Sequence, residues 1–364
     1  MVHTLAIVRN ERSSRRTGHL PGGPSTWRRR LRNGLIGLSA VASGALLLGA
    51  CSDAGVSPTQ ASSPTATAAC RATAAAPAAA ATAHTLWATP HIMILVMENQ
   101  GYGQIIGNSA AACANSLAST YLRATDSYAR GHDSLPNYLE MISGHAYEAS
   151  GTSNDCTPSS CGPIAGTDLA DQLQAAGIRW KAFMGEMPSD CATSDAGGSG
   201  GYGVRHNPFV YFPQGRTGSA CRNDVPATGL LTALNSPGAP DFVFYSPNIC
   251  QDGGNDAPCS TIANGDQFLR QRIPAIMTTS WYRDGGTIIL TWDEGTDTSG
   301  SNGDNGGHVL TVVISARTKG DAPYAGYVDS AGILRTVEHA YGLSYLGDAA
   351  GPSSGSLPLG PDGG

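Results

Sequence analysis

The residues best suited to chemistry in this chain are one serine and two pairs of oxygen-bearing side chains. The serine is Ser134, in the run Gly131-His132-Asp133-Ser134-Leu135-Pro136-Asn137-Tyr138. That run follows a strand-like stretch, Thr125 to Ala129, and opens a helix-like stretch, Tyr138 to Ser143. Pro136 supports a helix start, because proline fits the first turn of a helix and nowhere further in. A hydroxyl at such a junction sits beside unpaired backbone N–H groups and the positive end of a helix dipole, which favour a phosphate and a developing alkoxide. Taken alone, Ser134 serves equally well as a helix cap.

The pairs are Glu98-Asn99 and Asp293-Glu294. Each closes an apolar run, Ile92 to Met97 and Thr287 to Trp292, of the kind expected for strands covered on both faces. In parallel sheets, ligands bind at the carboxyl ends of strands. Neighbouring strands would bring three carboxylates and an amide into one crevice, where they repel one another unless a cation sits between them. Hard oxygen donors point to one divalent ion, Mg²⁺, Ca²⁺ or Mn²⁺ ahead of zinc. Either pair alone is explained by a solvated strand end; both together with Ser134 are not.

Positioning such groups takes a layered scaffold, and the chain supplies its parts. Helix-like segments run from Ser109 to Arg123, from Thr167 (as N-cap) to Ala176, from Ile262 to Tyr282 with a break or kink at Pro274, and from Ser330 to Tyr341. Strand-like segments are Ile178 to Met184, Phe242 to Tyr245 and Val309 to Ser315, in addition to the two buried runs. Strands alternating with helices predict an α/β fold with a mostly parallel sheet. A glycine-rich loop, Gly295 to Gly307, leads into His308.

The chain has 364 residues and a formal charge of −6. Its first fifty residues read as a leader: an arginine-rich start, then the apolar run Leu35 to Leu48, too short to span a bilayer. The run ends Leu48-Gly49-Ala50-Cys51, which looks like a lipoprotein processing box with Cys51 as the lipidated residue. Residues 51–88, mostly Ala, Thr, Ser and Pro, form an expected tether, too poor in large apolar groups to pack. The folded domain is expected over 89–348, with a flexible tail over 349–364. Beyond residue 50 the chain carries 14 basic and 27 acidic residues, a formal −13. Such a surface excludes general nucleic-acid binding and fits an exported protein, with membrane contact only through Cys51. Eight cysteines follow Cys51, so a disulfide framework is expected among about a hundred pairings. Short spacings suggest Cys156–Cys161 and Cys250–Cys259, then Cys191–Cys221 and Cys70–Cys113. A cysteine zinc site is disfavoured, since no pair has two-residue spacing.

Met97-Glu98-Asn99, Ser134-Leu135-Pro136-Asn137 and Thr291-Trp292-Asp293-Glu294, in that order, resemble the bacterial phosphoesterase family. That family holds acid phosphatases, including small secreted members of phosphatidylinositol-3-phosphatase type, and phospholipases C, within the alkaline-phosphatase superfamily. The resemblance covers roughly residues 91 to 345 and implies an α/β/α sandwich. It puts Ser134 at the nucleophile position and matches Glu98, Asn99, Asp293 and Glu294 to metal-binding positions. His206, in Arg205-His206-Asn207-Pro208-Phe209, matches a motif of the smaller members. Their Pro-Asn-x-Cys-x-Asp segment appears as Pro247 to Asp252, which puts Asn248 and Asp252 beside the substrate. Many members have a histidine shortly after that aspartate, but here the chain reads Asp252-Gly253-Gly254-Asn255-Asp256. His308 is then the first choice for the proton donor, with His132 and His206 as others.

These parts imply a phosphoric ester hydrolase. Ser134, activated by the metal, attacks phosphorus while Asn99, Asn137 and the helix N-terminus hold the equatorial oxygens. A histidine protonates the leaving alcohol, and water hydrolyses the phosphoserine. The expected substrate is a phosphorylated small molecule or lipid headgroup. The alternatives are a phospholipase C-type phosphodiesterase and a non-catalytic surface-binding lipoprotein.

Overall fold

A computed structural model describes Cys70 and residues 90–359, apart from 148–150, 301–303, 321–322 and 352. The leader, Cys51 and nearly all of the expected tether lie outside the described residues.

Seven strands form one sheet: β1 (Ile92–Met97), β2 (Leu122–Ala124), β3 (Trp180–Met184), β4 (Asp224–Pro226), β5 (Phe242–Ser246), β6 (Thr287–Trp292) and β7 (Thr311–Ile314), in the order β2-β7-β6-β1-β5-β3-β4. β1 is central and pairs parallel with β5 and β6, and β3 is parallel to both β5 and β4. β7 runs antiparallel to both of its neighbours. The sheet is therefore mostly parallel, as expected.

The buried runs work as strands because alternate side chains serve opposite layers. Ile92, Ile94 and Val96 face one core with Phe242, Phe244 and Ile289; Met93, Leu95 and Met97 face the other with Val243, Tyr245 and Leu290. The helices Ser134–Ser143, Leu169–Ala175 and Ser330–Tyr341 cover the first face through Leu135, Leu139, Leu169, Leu173, Leu334 and Val337. The helices Ala112–Thr120 and Ile262–Met277 cover the second through Leu117, Phe268 and Ile273. This is an α/β/α sandwich. Among the described residues no helix is long and apolar enough to cross a membrane.

Several boundaries differ from expectation. The strand lies at Leu122–Ala124 rather than Thr125 to Ala129, because Arg123 pairs with Val312; Ser127 and Tyr128 make only isolated bridges, to Val328 and His308. This ends the preceding helix at Thr120. The cap of the Leu169 helix is Asp168, one residue after Thr167: Asp168 accepts the Asp171 N–H at 2.9 Å and Asp171 accepts the Asp168 N–H at 3.4 Å. The Ile262 helix runs through Pro274 to Met277, and a separate turn, Ser280–Arg283, follows. The expected flexible tail is packed as far as 359. Leu357 is buried in the first core and its N–H donates to Thr336 Oγ1 at 2.8 Å, which holds the segment down.

All four expected disulfides are present: Cys70–Cys113, Cys156–Cys161, Cys191–Cys221 and Cys250–Cys259. The first ties Cys70, inside the expected tether, to the Ala112 helix.

Candidate active site

β1 and β6 are neighbours in register, Met97 beside Trp292, so the residues that follow them emerge side by side at the carboxyl edge. The Asn99 N–H donates to Asp293 Oδ1 at 2.8 Å, which locks the two strand ends together. Asn99 adopts a left-handed backbone, φ 53°, as does Asp133, φ 69°, just before the serine. Non-glycine residues in that region cost of order 1–3 kcal/mol each and collect at functional sites.

Ser134 is the first residue of its helix, with Asp133 at the cap position. Its hydroxyl donates to Glu98 Oε2 at 3.0 Å, so Ser134 does not act as a backbone cap. One turn on, at the spacing that shares a helix face, Tyr138 donates its hydroxyl to Glu98 Oε1. Asn99 Nδ2 reaches Glu98 Oε2 at 3.4 Å, and His206 Nε2 lies 3.4 Å from the same oxygen. Glu98 is thus a hub fed from β1, the Ser134 helix and the 204–206 turn. Behind it, Asp252 accepts from Ser260 Oγ at 2.6 Å and the Gly254 N–H at 2.9 Å, while its backbone carbonyl holds the Glu98 N–H at 3.0 Å.

Burial, then Asp293 and Asp252, push Glu98 well above the usual carboxylate range. Burial pushes Asp293 up to about 6, and burial with hydrogen bonds pulling the other way leaves Asp252 at about 7. Such a set is at ease only with bound protons or a cation. Asp293 Oδ2 is buried without a well-formed hydrogen bond, close to Ser134 and Glu98. Glu98, Asn99, Ser134 and Asp293 therefore fit a hard divalent ion. Among the described residues, another metal-sized set appears: Glu98, His206 and Asp256, with ligand atoms all within 4.8 Å of one another.

Other expected residues fall elsewhere. Glu294 turns to His132, Oε2 to Nδ1 at 2.7 Å, and is pushed up to about 9 by burial, Asp293 and the nearby Asp155, Asp133 and Asp256. It feels Asp293 more strongly than any other charge, so it stands at the same strand-end edge while one of its oxygens holds His132. The other His132 nitrogen, Nε2, meets the Asp297 carbonyl at 2.9 Å, and the side chain is 41% exposed, at the rim. His308 is stacked between Tyr102 and Tyr128, ring centroids 4.3 and 5.1 Å away, and feels Asp126 and Asp297 rather than the carboxylates around Ser134. The structure therefore groups His308 with Tyr102 and Tyr128. Asn137 is spent on the serine loop: it accepts the Gly131 N–H at 3.1 Å and donates to the Gly131 and Asp133 carbonyls at 2.9 and 3.1 Å. It positions Ser134 instead of meeting a substrate. Asn248 is buried beside Asp252, with its Oδ1 unpartnered.

The helix N-terminus is also less open than expected. Pro136 has no N–H, and the Leu135 N–H donates to Asp155 Oδ1 at 2.8 Å. Asp155 in turn faces Arg205 Nε at 3.4 Å, and Arg205 Nη2 donates to Asp256 at 2.6 Å. Arg205, Asp155, Asp256 and Tyr138 were not anticipated as site residues. Tyr138 had a usable signal, four residues from Ser134; Asp256 lies in the loop closed by Cys250–Cys259 and Asp155 just before Cys156, in segments that carry no periodicity. Gly254 packs closely on the hub: a Cβ there would stand 2.9 Å from Glu98 Cβ. A separate cavity of about 640 Å³ opens where the Ser134 helix ends, lined by Arg130, His145, Tyr147 and Asp348, away from the serine.

Comparison with known proteins agrees with this geometry. The phosphoesterase family matches residues 108–344. A phosphatidylinositol-3-phosphatase of Mycobacterium tuberculosis is 29% identical over 260 residues, 71% of this chain and 79% of the relative. A probable acid phosphatase of Kluyveromyces lactis is 22% identical over 277 residues, 71% of this chain but only 60% of that protein. Among solved structures, a protein in the alkaline phosphatase superfamily from Vibrio parahaemolyticus aligns with a TM-score of 0.46 at 14% identity, covering 70% of this chain and 67% of its own. With the family matched across most of the folded part, the chain belongs to the phosphoesterase family and is a phosphoric ester hydrolase.

Proposed function

We propose that the protein is a metal-dependent phosphomonoesterase that works through a phosphoserine at Ser134. The observation that carries this is the Ser134 hydroxyl on Glu98 Oε2, beside a buried Asp293 oxygen without a well-formed hydrogen bond, where two central strands end. A divalent ion held by Glu98, Asn99, Ser134 and Asp293 supplies charge that lowers the proton affinity of the hydroxyl and neutralises phosphoryl oxygens.

The chain's own residues do the rest. Glu98 orients Oγ and accepts its hydrogen bond, and Tyr138 keeps the second Glu98 oxygen engaged so that the first stays aimed at the serine. Asn137 braces the loop that presents Ser134. His132, at the exposed rim with Nδ1 steadied by Glu294, is the proposed donor to the leaving alcohol through Nε2 once that nitrogen leaves the Asp297 carbonyl, worth roughly two to four orders of magnitude in rate. Arg205 is the guanidinium nearest the phosphoryl position, held by Asp155 and Asp256 in the free enzyme.

The similarity to a phosphatidylinositol-3-phosphatase supports a lipid phosphomonoester as substrate, and four disulfides support export, with Cys51 as the proposed lipid anchor. The test sets p-nitrophenyl phosphate against p-nitrophenylphosphorylcholine, with and without chelator, for the native chain and Ser134→Ala. Cleavage of the monoester only, lost with chelator and lost in Ser134→Ala at unchanged melting temperature, is expected. Preferred cleavage of the diester would instead establish a phospholipase C-type activity, and residual turnover in Ser134→Ala would remove the serine from the mechanism.

A further inference from the structure

We propose that the open cavity at the end of the Ser134 helix is a binding site for a neutral polyhydroxyl ring, a saccharide or a cyclitol. The inference goes beyond the function proposed above and does not depend on it.

The cavity measures about 640 Å³, inside the range of roughly 300–1,000 Å³ found for small-molecule sites. It is set apart from the nucleophile: Ser134 and Ser143 are the two ends of one helix, about 14 Å apart at 1.5 Å per residue. None of Glu98, Asp293, His132 or Arg205 lines it. Its walls are braced. The Asp348 N–H donates to the Gly144 carbonyl at 2.8 Å, an approach that needs glycines in both segments. A Cβ on Gly347 would stand 2.3 Å from the Gly144 carbonyl oxygen, and one on Gly144 would stand 2.2 Å from the Leu346 carbonyl oxygen. Tyr147 sits in the left-handed region, φ 56°, which is unusual for a bulky side chain and is a strain that collects at ligand clamps. Its ring is set edge-on to His145 and Phe212, with centroids 5.5 and 6.0 Å away.

The lining decides the class of ligand. His145, Thr167 and Asp348 are exposed, and among the described residues their side chains make no hydrogen bond with the protein. Arg130 completes the polar set, and its charge is already met from behind by Glu140 Oε1 at 3.7 Å and Asp304 Oδ1 at 3.6 Å. An anionic ligand would oppose Asp348 and find Arg130 countered; a cationic ligand would oppose Arg130. A neutral ring bearing several hydroxyls meets both groups. It accepts from Arg130 and donates to Asp348, while His145 and Thr167 can do either. Tyr147 and Leu346 give its C–H face an apolar surface.

The probes are myo-inositol and maltose, titrated into the full-length protein by calorimetry, with p-nitrophenyl phosphate hydrolysis followed in parallel. Saturable binding of at least one probe is expected. Ala165→Trp, at an exposed position of the wall, should abolish it by filling the space. Asp348→Asn should weaken it by about 10- to 100-fold, the worth of a hydrogen bond to a charged group. Both variants should cleave p-nitrophenyl phosphate as the native chain does, and saturating polyol should leave that rate unchanged. The calorimetric readout stands whether or not the monoester is cleaved. Binding of myo-inositol alone identifies a cyclitol headgroup as the ligand, and of maltose alone a saccharide. No saturable binding of either probe, binding that survives Ala165→Trp, or competition with p-nitrophenyl phosphate would each overturn the site. Displacement of the bound polyol by sulfate would overturn its neutral character.

Discussion

Removing one hydroxyl tests how the nucleophile is aimed. Tyr138→Phe deletes the donor to Glu98 Oε1 and the hydroxyl's contact with Ser246, while the ring that stacks on His206 and tilts against Phe244 at 6.1 Å is kept. The oxygen left behind is fully buried, so water does not replace the lost partner. A hydrogen bond to a charged group is worth about 1.5–3 kcal/mol, which is roughly a 10- to 150-fold change in an equilibrium. Since this bond lowers the proton affinity of Glu98, its loss strengthens proton binding and weakens cation binding at the same carboxylate. The assay is monoester hydrolysis across buffered free divalent metal, with melting followed in chelator. The half-saturating metal concentration should rise by about 10- to 100-fold in Tyr138→Phe, while turnover at saturating metal falls far less. An unchanged metal requirement would show that Glu98 neither holds an ion nor depends on Tyr138, and the carboxylate hub would lose its proposed purpose.

The two rim histidines should separate cleanly: His132→Asn lowers turnover by about 10²- to 10⁴-fold, whereas His308→Phe, which keeps the stack with Tyr102 and Tyr128, stays close to native in steady-state kinetics. Burial pushes Asp224 up to about 7, so between its ordinary 3.8 and that value the folded chain holds a proton the unfolded chain has released, and stability falls as pH rises through this window. Melting in chelator should be higher at pH 5 than at pH 8, and Asp224→Asn should flatten part of that slope, by up to about 4 kcal/mol over the window; an identical slope would refute it. Leu139→Ala, in the helix that carries Ser134 and fully buried against the sheet, should cost about 2–5 kcal/mol in denaturant unfolding.

What was legible beforehand follows from the range of the interactions. β1 and β6 show as unbroken apolar runs because both faces of a central parallel strand are covered, and the residues that end them fall at the functional edge by the topology of such sheets. The cysteine pairings Cys156–Cys161 and Cys250–Cys259 were readable because the chain has few ways to close so short a loop. Boundaries failed where a distant partner overrode local preference: Arg123 continues a helical pattern yet is claimed by Val312 across the sheet edge. The tail failed for the same reason, since its Gly, Pro and Ser content reads as loose while Leu357 finds a slot in the core.

In the site, residue types were informative and directions were not. Asn137 and His308 have the chemistry for phosphate and proton transfer, but side-chain direction depends on backbone that sequence spacing does not specify. Asn137 folds back onto the loop before it, and His308 is held between Tyr102 and Tyr128. Arg205 and the aspartates at 155 and 256 were hidden for a further reason. They meet from three separate segments, Arg205 between Cys191 and Cys221, Asp256 between Cys250 and Cys259 and Asp155 just before Cys156, and irregular backbone has no period from which facing residues can be read. The same loops place an exposed aspartate beside a fully buried histidine and glutamate. A crevice assembled in this way can change the loop contribution while β1, β6 and the Ser134 helix stay fixed. Variation among relatives of this fold should therefore concentrate in the 151–161 and 250–259 loops and leave Glu98, Ser134 and Asp293 in place; exchange of either loop should change the preference among phosphate esters in a hydrolysis assay without abolishing turnover.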